Sequence, residues 1–303
     1  MNGFKKWRNQ CLSNKIFDVI NITVMILVLV VSIYPLYYIL ILSFSKEVVG
    51  TYLWPSEINL TGYKMILADS TVYVGYANTI FYTVAGVLCS LAVTLPCAYS
   101  LSRKDFKGRG LIMGFLMVTM FIGGGLVPNY LNVYNLGILN TRAVIIILGL
   151  TSTYNLIIAR TFFQSTIPGE LLDASKIDGC GNGRFFSTIV LPLSKPIIAV
   201  MALYFGVGRW NSYFTEMIYL RDEKKYPLGL FLRRLLWEAQ SLEMMIKKGE
   251  IDVSVLGDAQ ELIRLSTIMQ YCLIVVSTVP MLIIYPYLQK YFAKGVMIGS
   301  VKG

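Results

Sequence analysis

Residues 70–102 read STVYVGYANTIFYTVAGVLCSLAVTLPCAYSLS, and the stretch between Asp69 and Arg103 contains no charged side chain. A helix needs about 20 mostly apolar residues to cross the hydrocarbon core of a bilayer, so this stretch is long enough to span it once. The whole chain of 303 residues is 55% hydrophobic and 15% charged, whereas a soluble domain carries about 25% charged residues. The sequence therefore predicts a polytopic membrane protein and excludes a soluble enzyme as the leading interpretation.

Long charge-free runs recur along the rest of the chain. The run from 189 to 208 is interrupted only by Lys195, near one end, where the lysine stem can reach the membrane interface. The first run is too long for a signal peptide and is interpreted as an uncleaved span. We predict an all-α fold with six transmembrane helices, at about 18–44, 73–101, 111–129, 142–161, 188–208 and 265–288.

The distribution of lysine and arginine predicts which loops are cytoplasmic. Basic residues are enriched before the first span, between the second and third spans, in the 162–188 connection and in the 289–303 tail. Because basic short loops stay in the cytoplasm, both termini are predicted to be cytoplasmic, and the 209–264 segment is then external. The formal net charge of +10 is explained by this bias and by the attraction of basic residues to anionic lipid, so it requires no nucleic-acid partner.

The sequence lacks the residue types and motifs that would supply its own energy or chemistry. It has no histidine and no G-x-x-x-x-G-K-[ST] phosphate-binding loop. The five cysteines have no metal-binding or redox spacing, so we expect no metal, no cofactor and no catalytic residue on this chain. The predicted spans also contain essentially no mid-span charge of the kind that an ion or proton relay uses. These absences favour a separate motor subunit over an ion gradient.

The 162–188 connection contains the most informative segment, which reads IPGELLDASKIDGCGNGRFFSTIVLP from Ile167 to Pro192. Pro168 is suited to a first helical turn, and Gly179 is a natural helix stop. We predict a short helix of about three turns, parallel to the bilayer, with one small, apolar-rich face formed by Leu171, Leu172, Ala174, Ser175 and Ile177. This pattern is typical both of a docking helix and of an ordinary interfacial amphipathic helix.

A second candidate region begins at the outer end of the fifth span, with the sequence WNSYF at 210–214. Trp210, Asn211 and Tyr213 are typical of an interfacial aromatic belt, which is the favoured interpretation. The alternative is a patch that stacks on sugars and faces a translocation path. Beyond it, residues 230–246 have helical periodicity, and the whole 209–264 segment suits either an extracellular partner or a lid over the path.

The spacing around Gly179 resembles the coupling motif of permease subunits of binding-protein-dependent ABC importers. That motif has an E-A-A core, then Asp-Gly, nine residues and I-x-L-P. Here Asp173-Ala174-Ser175 takes the E-A-A place, Asp178-Gly179 follows, and nine residues separate Gly179 from Ile189-Val190-Leu191-Pro192. The chain departs from the pattern at positions 173 and 175, and Glu170 is a possible substitute for the missing glutamate.

The resemblance extends from about residue 73 to residue 303. The chain is similar to the carbohydrate-uptake branch of maltose-type permeases, specifically the complex-polysaccharide subgroup. The stretches that carry this similarity are GGGLVPNYLNVYNLGILNT (123–141), WNSYF and the terminal GVMIGSVKG. It implies the type I ABC importer permease fold, with a core domain at 73–303 that follows residues 1–72.

The same resemblance implies a role and partners in a bacterial plasma membrane. The chain would form half of a sugar translocation pathway with a second related permease, two ATPase subunits that bind ATP and Mg, and an extracellular or periplasmic sugar-binding protein. It also implies that the ATPase-coupling residues are Glu170, Leu171, Asp173, Ala174, Ser175, Asp178, Gly179, Leu191 and Pro192.

Two other functions are compatible with a polytopic chain. An ion-coupled carrier or channel for small polar solutes would work without an ATPase. A membrane-embedded enzyme for lipid-linked substrates would need a cluster of catalytic side chains at the interface. The predicted cytoplasmic loops offer it only four acids, Asp105, Glu170, Asp173 and Asp178.

Overall fold

The computed structural model describes residues 12–46, 53–55, 57–249 and 256–295, which are almost entirely helical. Within these ranges the β pairing is a single isolated bridge between Ser45 and Ile58. The helices are α1 (Leu12–Ser43), α2 (Thr61–Ala68), α3 (Ser70–Ser102), α4 (Arg109–Phe121), α5 (Leu126–Asn135), α6 (Arg142–Leu148), α7 (Thr153–Thr166), α8 (Gly169–Ile177), α9 (Asn182–Leu193), α10 (Lys195–Trp210), α11 (Phe214–Tyr219), α12 (Leu228–Lys247) and α13 (Leu256–Gly295).

Three of the predicted spans are single long helices, and the other three are broken. In the described part of the chain, α1, α3 and α13 are each long and apolar enough to cross a membrane. The other candidates are pairs of shorter helices, and six spans result only if each pair counts as one. The bends are 114° between α4 and α5, 54° between α6 and α7, and 82° between α9 and α10.

The prediction of one continuous helix at 111–129 is therefore wrong. The run Gly123-Gly124-Gly125 separates α4 from α5. A side chain at Gly123 would meet nothing within 4 Å, and side chains at Gly124 and Gly125 would make only ordinary contacts with Asn129 and Pro128. The predicted span at 188–208 is likewise interrupted at Ser194. Pro196 follows in the first turn of α10, where its missing N–H breaks no helical hydrogen bond. Hydropathy shows that both stretches are apolar, but it does not show where their backbone turns.

Local capping explains where several helices begin. The Asp69 carboxylate accepts a hydrogen bond from the backbone N–H of Thr71 at 2.8 Å and starts α3. Thr141 and Ser152 cap α6 and α7 in the same way. Side-chain oxygens at these positions satisfy backbone N–H groups that have no partner within the helix.

The chain forms two compact units, and the larger one comprises residues 69–235 and 277–303. Its central element is α3, which packs against α7 and α10. The core between these helices is apolar and includes the fully buried side chains of Phe163, Phe185 and Met201. A second, smaller cluster around Tyr82 and Val144 joins α3 and α6 to α11.

The smaller unit comprises residues 1–68 and 236–276. Its buried contacts connect α1, α2 and α13: the Cys272 thiol donates to the Ser43 carbonyl at 3.2 Å, and the Ser43 hydroxyl lies 2.8 Å from that of Tyr63. Most of α1 is not covered by the described part of its own chain. An uncovered apolar helix of this length suits contact with lipid. Each unit combines two separate stretches of the sequence, so no single position divides one unit from the other. The predicted division at 72/73 stays a prediction.

The ends of the chain are described only in part. Residues 289–295 of the predicted tail continue α13 to Gly295, whereas residues 296–303 lie outside the described residues. Residues 1–11, which carry most of the basic charge predicted to hold the amino terminus in the cytoplasm, also lie outside them.

Candidate functional site

The segment with the coupling motif folds as the predicted short helix. Helix α8 has Glu170 in its first turn and Lys176 in its last, which complements the helix dipole at both ends. At its carboxyl end the Cys180 N–H donates to the Ser175 carbonyl at 2.8 Å, and Gly179 N–H donates to that of Lys176 at 3.1 Å. Gly179 has a φ of 69°, a left-handed conformation that favours glycine. The predicted glycine stop is confirmed.

The predicted single apolar face of α8 is wrong, because the structure divides those residues between two faces. Leu172 packs against the core of the larger unit, and Ser175 is only 5% exposed, with its hydroxyl bonded to the Leu172 carbonyl at 2.7 Å. Leu171, Ala174 and Ile177 point outward, and Ile177 is 88% exposed. The outer face also presents the three carboxylates of the segment, at Glu170, Asp173 and Asp178.

A cluster of aromatic rings supports the inner face of this segment. The Tyr99 ring on α3 lies 5.8 Å from that of Phe163 on α7 and 5.3 Å from that of Phe186 on α9. Phe185, also on α9, is completely buried in the same core. Rings from three helices that pack in this way move together, because a close-packed core does not deform continuously. The segment with the coupling motif therefore packs against a rigid part of the core.

A polar network holds α8 beside the end of α3. The Arg103 guanidinium donates to the Asp105 carboxylate at 2.9 Å and to the Asn182 side-chain oxygen at 2.7 Å. Lys176 on α8 lies 3.8 Å from Asp105. Hydrogen bonds from Arg103 lower the pKa of Asp105 to about 2. A cavity of about 620 Å³ lies between this network and α8, and the Lys176–Asp105 pair joins the two across it.

The distal part of the motif lies on α9. Leu191 is half-buried and Pro192 is exposed, one turn before the 82° bend into α10. Between them and the glycine stop, residues Phe186–Val190 form a π-helical stretch. The residues predicted to couple thus share one continuous segment, α8 to α9, which leads directly to the broken fifth span.

The structure does not bring the three candidate pathway residues together. The Trp210 indole donates to the Ser277 carbonyl at 3.1 Å and lies edge-on to Tyr76. Asn211 turns back onto the Val207 carbonyl, and Tyr213 lies beneath the Arg233 guanidinium at 5.1 Å. These contacts support the interfacial and packing interpretation of this region over a shared sugar-stacking patch.

An arginine that the sequence analysis did not single out holds the broken fourth span. Arg209, at the end of α10, donates to the carbonyls of Ile145 and Ile146, both at 3.1 Å, and to the Ser90 hydroxyl at 3.2 Å. Those two carbonyls are in the last turn of α6, where they have no helical partner. A side chain at Gly86 would overlap the guanidinium, so glycine leaves room for it. Arg209 therefore stabilises the break between α6 and α7.

Beside this arginine lies a buried carboxylate. Glu216 on α11 is 3% exposed and accepts a hydrogen bond from the Ser212 hydroxyl at 2.8 Å. Burial raises its pKa, and the bonds it accepts and the nearby Arg209 oppose that rise. Both residues line a cavity of about 290 Å³. The only sequence signal for them is a pair of opposite charges that border an apolar run.

Hydrogen bonds hold the first part of the predicted external segment against α3 in the larger unit. The Asn78 side chain on α3 donates to the carbonyls of Lys224 and Tyr226, and the Tyr82 hydroxyl donates to that of Lys225. The Asn140 side-chain oxygen accepts from the N–H groups of residues 221 and 222. Residues 221–228 are thus a fixed strap, and the predicted helix at 230–246 is confirmed as α12.

A helical bundle with three broken candidate spans and a surface segment that carries the predicted coupling motif is typical of an integral membrane transport subunit. The chain matches a family described as the binding-protein-dependent transport system inner membrane component over residues 70–246, more than half of its length. It belongs to that family, which confirms the resemblance inferred from the coupling motif.

Known relatives agree with this assignment. The chain is 36% identical over 295 residues to protein LplC of Bacillus subtilis (strain 168), with 96% of each chain covered. It is 34% identical to the polygalacturonan/rhamnogalacturonan transport system permease protein YtcP of the same organism, with 96% of this chain and all of that one covered.

A solved structure shares the fold. The chain matches, at 31% identity and a TM-score of 0.80, part of a bacterial ABC transporter involved in the import of the acidic polysaccharide alginate. The match covers 93% of this chain and 99% of that one, so the predicted importer permease fold is confirmed.

Proposed function

We propose that this chain is one of two permease subunits in an ATP-driven importer of oligosaccharides or polysaccharides. The observation that carries the proposal is α8, a short helix with an outward face of carboxylates and apolar side chains on a rigid aromatic base. Relatives whose names refer to saccharide transport support the substrate class. The predicted partners are a second permease, two ATPase subunits that bind ATP and Mg, and a sugar-binding protein.

The outer face of α8 is suited to docking in a groove of an ATPase. Leu171, Ala174 and Ile177 supply apolar area, and the carboxylates at 170, 173 and 178 supply charge that fixes the register. Ser175 faces its own chain, so we assign it to holding the helix in place rather than to docking. Glu170 and Asp173 are both exposed, so either can provide the contact made by the glutamate of the motif.

Coupling follows from the connection between α8 and the broken fifth span. When nucleotide binding closes the ATPase pair, a docked α8 moves with it, and the buried ring of Phe185 and the half-buried ring of Phe186 transmit this motion to α9 and α10. The cavity between the permeases then changes from inward-open to outward-open. Such coupling requires that the ATPase contacts differ in free energy between the two states.

This mechanism requires α8 and both termini to be in the cytoplasm of a bacterial plasma membrane and 209–264 to be outside. The strap at 221–228 presents a fixed outer surface on which a binding protein can dock. An orientation with α8 outside would exclude the mechanism.

Co-purification tests the proposal directly. The tagged full chain, extracted in mild detergent, is expected to bring down a second permease and ATPase subunits. Replacing Glu170 and Asp173 with lysine should release the ATPases and retain the second permease. The same replacement at Glu238 and Glu243, two exposed carboxylates on α12, is the matched control and should release neither.

Reconstitution separates the importer from the alternative of an ion-coupled carrier or channel. Vesicles that contain the purified complex should accumulate sugar only with ATP and the binding protein. Accumulation by this chain alone, without an ATPase, would refute the importer and favour the carrier.

A further inference from the structure

The loop between α3 and α4 is held at the membrane surface by its length. Helix α3 ends at Ser102 and α4 begins at Arg109, and both belong to candidate membrane spans. The six residues between them read RKDFKG, at 103–108. A loop of six residues that leaves one span and enters the next extends at most about 10 Å from the membrane surface. Its side chains therefore lie within reach of the lipid headgroups.

This loop and the first residue of α4 carry an excess of positive charge. They contain four basic side chains and one acid, Asp105, which is already paired with Arg103. Lys104 and Lys107 are exposed, and Arg109 is half-buried, with its guanidinium bonded to the Arg103 carbonyl at 2.9 Å. Within the described residues, no carboxylate forms an ion pair with any of these three. Three positive charges at the interface thus have no counter-charge from their own chain.

A groove beside the loop runs from the interface toward the apolar part of α3. It has a volume of about 520 Å³ and lies between α3, the loop and the first turns of α9. Arg103 and Asn182 line its polar end, and Pro96 and Phe186 line its apolar end. Pro96 lies seven residues before Arg103 on the same helix, which places it about 10 Å deeper along the span. The exposed ring of Phe106 adds apolar surface to the lining.

The combination of charge and apolar surface selects the occupant. A soluble phosphate would use the charges and leave the apolar end of the groove uncovered. An acidic protein surface could approach the loop from the water side, but it would not extend below the interface. A phospholipid has its phosphate at the interface and its acyl chains below it, and basic pockets between transmembrane helices on the cytoplasmic side bind acidic headgroups. The groove has the same order of groups along its length.

We propose that the 103–109 segment and the groove beside it bind an anionic phospholipid of the inner leaflet. Lys104, Lys107 and Arg109 contact the headgroup phosphate, and an acyl chain lies along Pro96 and Phe186. The proposal rests on the proposed function for the choice of leaflet, because that function requires the loop to be cytoplasmic.

Native mass spectrometry of the purified complex in a neutral detergent tests the site. Dioleoyl phosphatidylglycerol and dioleoyl phosphatidylcholine are the probes, since they have the same acyl chains and differ in headgroup charge. The complex should retain phosphatidylglycerol in preference, and added salt should weaken this retention, because exposed charges are screened. Glycerol phosphate, an anion without acyl chains, should not displace the lipid at an equal concentration.

A pair of lysine substitutions locates the site on this chain. Lys104→Gln combined with Lys107→Gln should raise the phosphatidylglycerol concentration for half-maximal occupancy about 30-fold, the combined effect of two basic side chains near an anionic headgroup. Retention of phosphatidylcholine should not change. Lys247→Gln combined with Lys248→Gln, at two exposed lysines at the end of α12, is the matched control and should leave both lipids unaffected.

The other outcomes overturn the lipid site. These are equal retention of the two lipids by the wild type, and an equal loss in both lysine pairs. Displacement by glycerol phosphate would assign the charges to a soluble anion. Loss of ATPase subunits from the Lys104/Lys107 variant with unchanged lipid retention would assign the loop to the ATPase. The importer is judged separately: selective retention of phosphatidylglycerol by preparations that never contain an ATPase would refute the importer while supporting the lipid site.

Discussion

The coupling segment and the region around Arg209 belong to the same compact unit but are built in opposite ways. Residues 168–192 expose their carboxylates and are held by an aromatic base, by the surface ion pair of Lys176 with Asp105 and by a hydrogen bond from Arg103 to Asn182. Around Arg209, the half-buried guanidinium is bonded to backbone carbonyls of a neighbouring helix, beside the buried carboxylate of Glu216. The exposed segment is suited to binding a partner that moves it. The region around Arg209 is suited to keeping the helix break in one conformation while the exposed segment moves.

The comparison predicts different consequences of mutation. Changes in the buried region should reduce stability and transport together, because the broken helix loses its internal partner. Changes in the exposed segment should reduce transport and leave the subunit folded. The following substitutions test this contrast.

Arg209→Met should have the largest effect. It leaves the carbonyls of Ile145 and Ile146 without a partner, at about 1–3 kcal/mol for each buried unsatisfied group. We expect a markedly lower melting temperature in detergent and loss of uptake. Gly86→Ala should act in the same direction, because its methyl group displaces the guanidinium. A Met variant that melts like the wild type would show that the break does not depend on Arg209.

Gly179→Pro should reduce uptake at least tenfold while the protein inserts and melts normally. Proline cannot adopt the φ of 69° and lacks the N–H that bonds to the Lys176 carbonyl, so the end of α8 is lost. Uptake and sugar-stimulated ATPase activity are measured per complex. Gly179→Asn is the control, since asparagine tolerates a left-handed conformation and should retain most activity. Normal uptake by the proline variant would argue against coupling through this segment.

Asp105→Asn should have a smaller, pH-dependent effect. The folded pKa of about 2 is below the unfolded value of about 3.9. The Asp105 contribution is therefore present above about pH 4 and is lost as the pH falls through about 2. An exposed pair contributes about 0.5 kcal/mol. The melting temperatures of wild type and variant should differ slightly at pH 7 and converge at pH 2. A difference that grows at low pH would contradict this assignment.

Trp210→Phe should have the smallest effect. It keeps an aromatic ring and removes the indole hydrogen bond to Ser277, at a cost of about 1 kcal/mol. If Trp210 is a packing residue, the melting temperature falls slightly and uptake per complex is unchanged. The sugar-patch interpretation predicts instead that Trp210→Ala reduces uptake more than assembly. Comparing both variants in both assays decides between the two.

Much of the exposed site could be predicted from sequence, because its signal is local. Pro168 and Gly179 mark the limits of α8, and the spacing to Ile189 identifies the segment without reference to the rest of the fold. The faces of α8 could not be predicted, because Leu172 and Ser175 are inward only where α3 and α7 supply a core.

The buried site and the helix breaks could not be predicted for a different reason. Arg209 meets Ile145 across 64 residues of sequence, and its partners are backbone carbonyls, which every residue has. Such a contact leaves no pattern in the residue types of its acceptor. Hydropathy similarly shows that 111–129 is apolar, but the 114° turn depends on backbone geometry at Gly123-Gly124-Gly125.

Because Phe186–Val190 form a π-helical stretch, the number of residues in this segment determines how its two ends are rotated relative to each other. A wide turn of this kind accommodates more residues than an α-helical turn, so it sets the angular phase between Phe185 and Pro192. Removing one residue, such as Ser187, would rotate everything beyond it by about 100°, the angle per residue of an α-helix with 3.6 residues per turn. The interval of nine residues between Gly179 and Ile189 therefore fixes the rotation of the residues that follow it. Insertions or deletions there should be tolerated less well than substitutions.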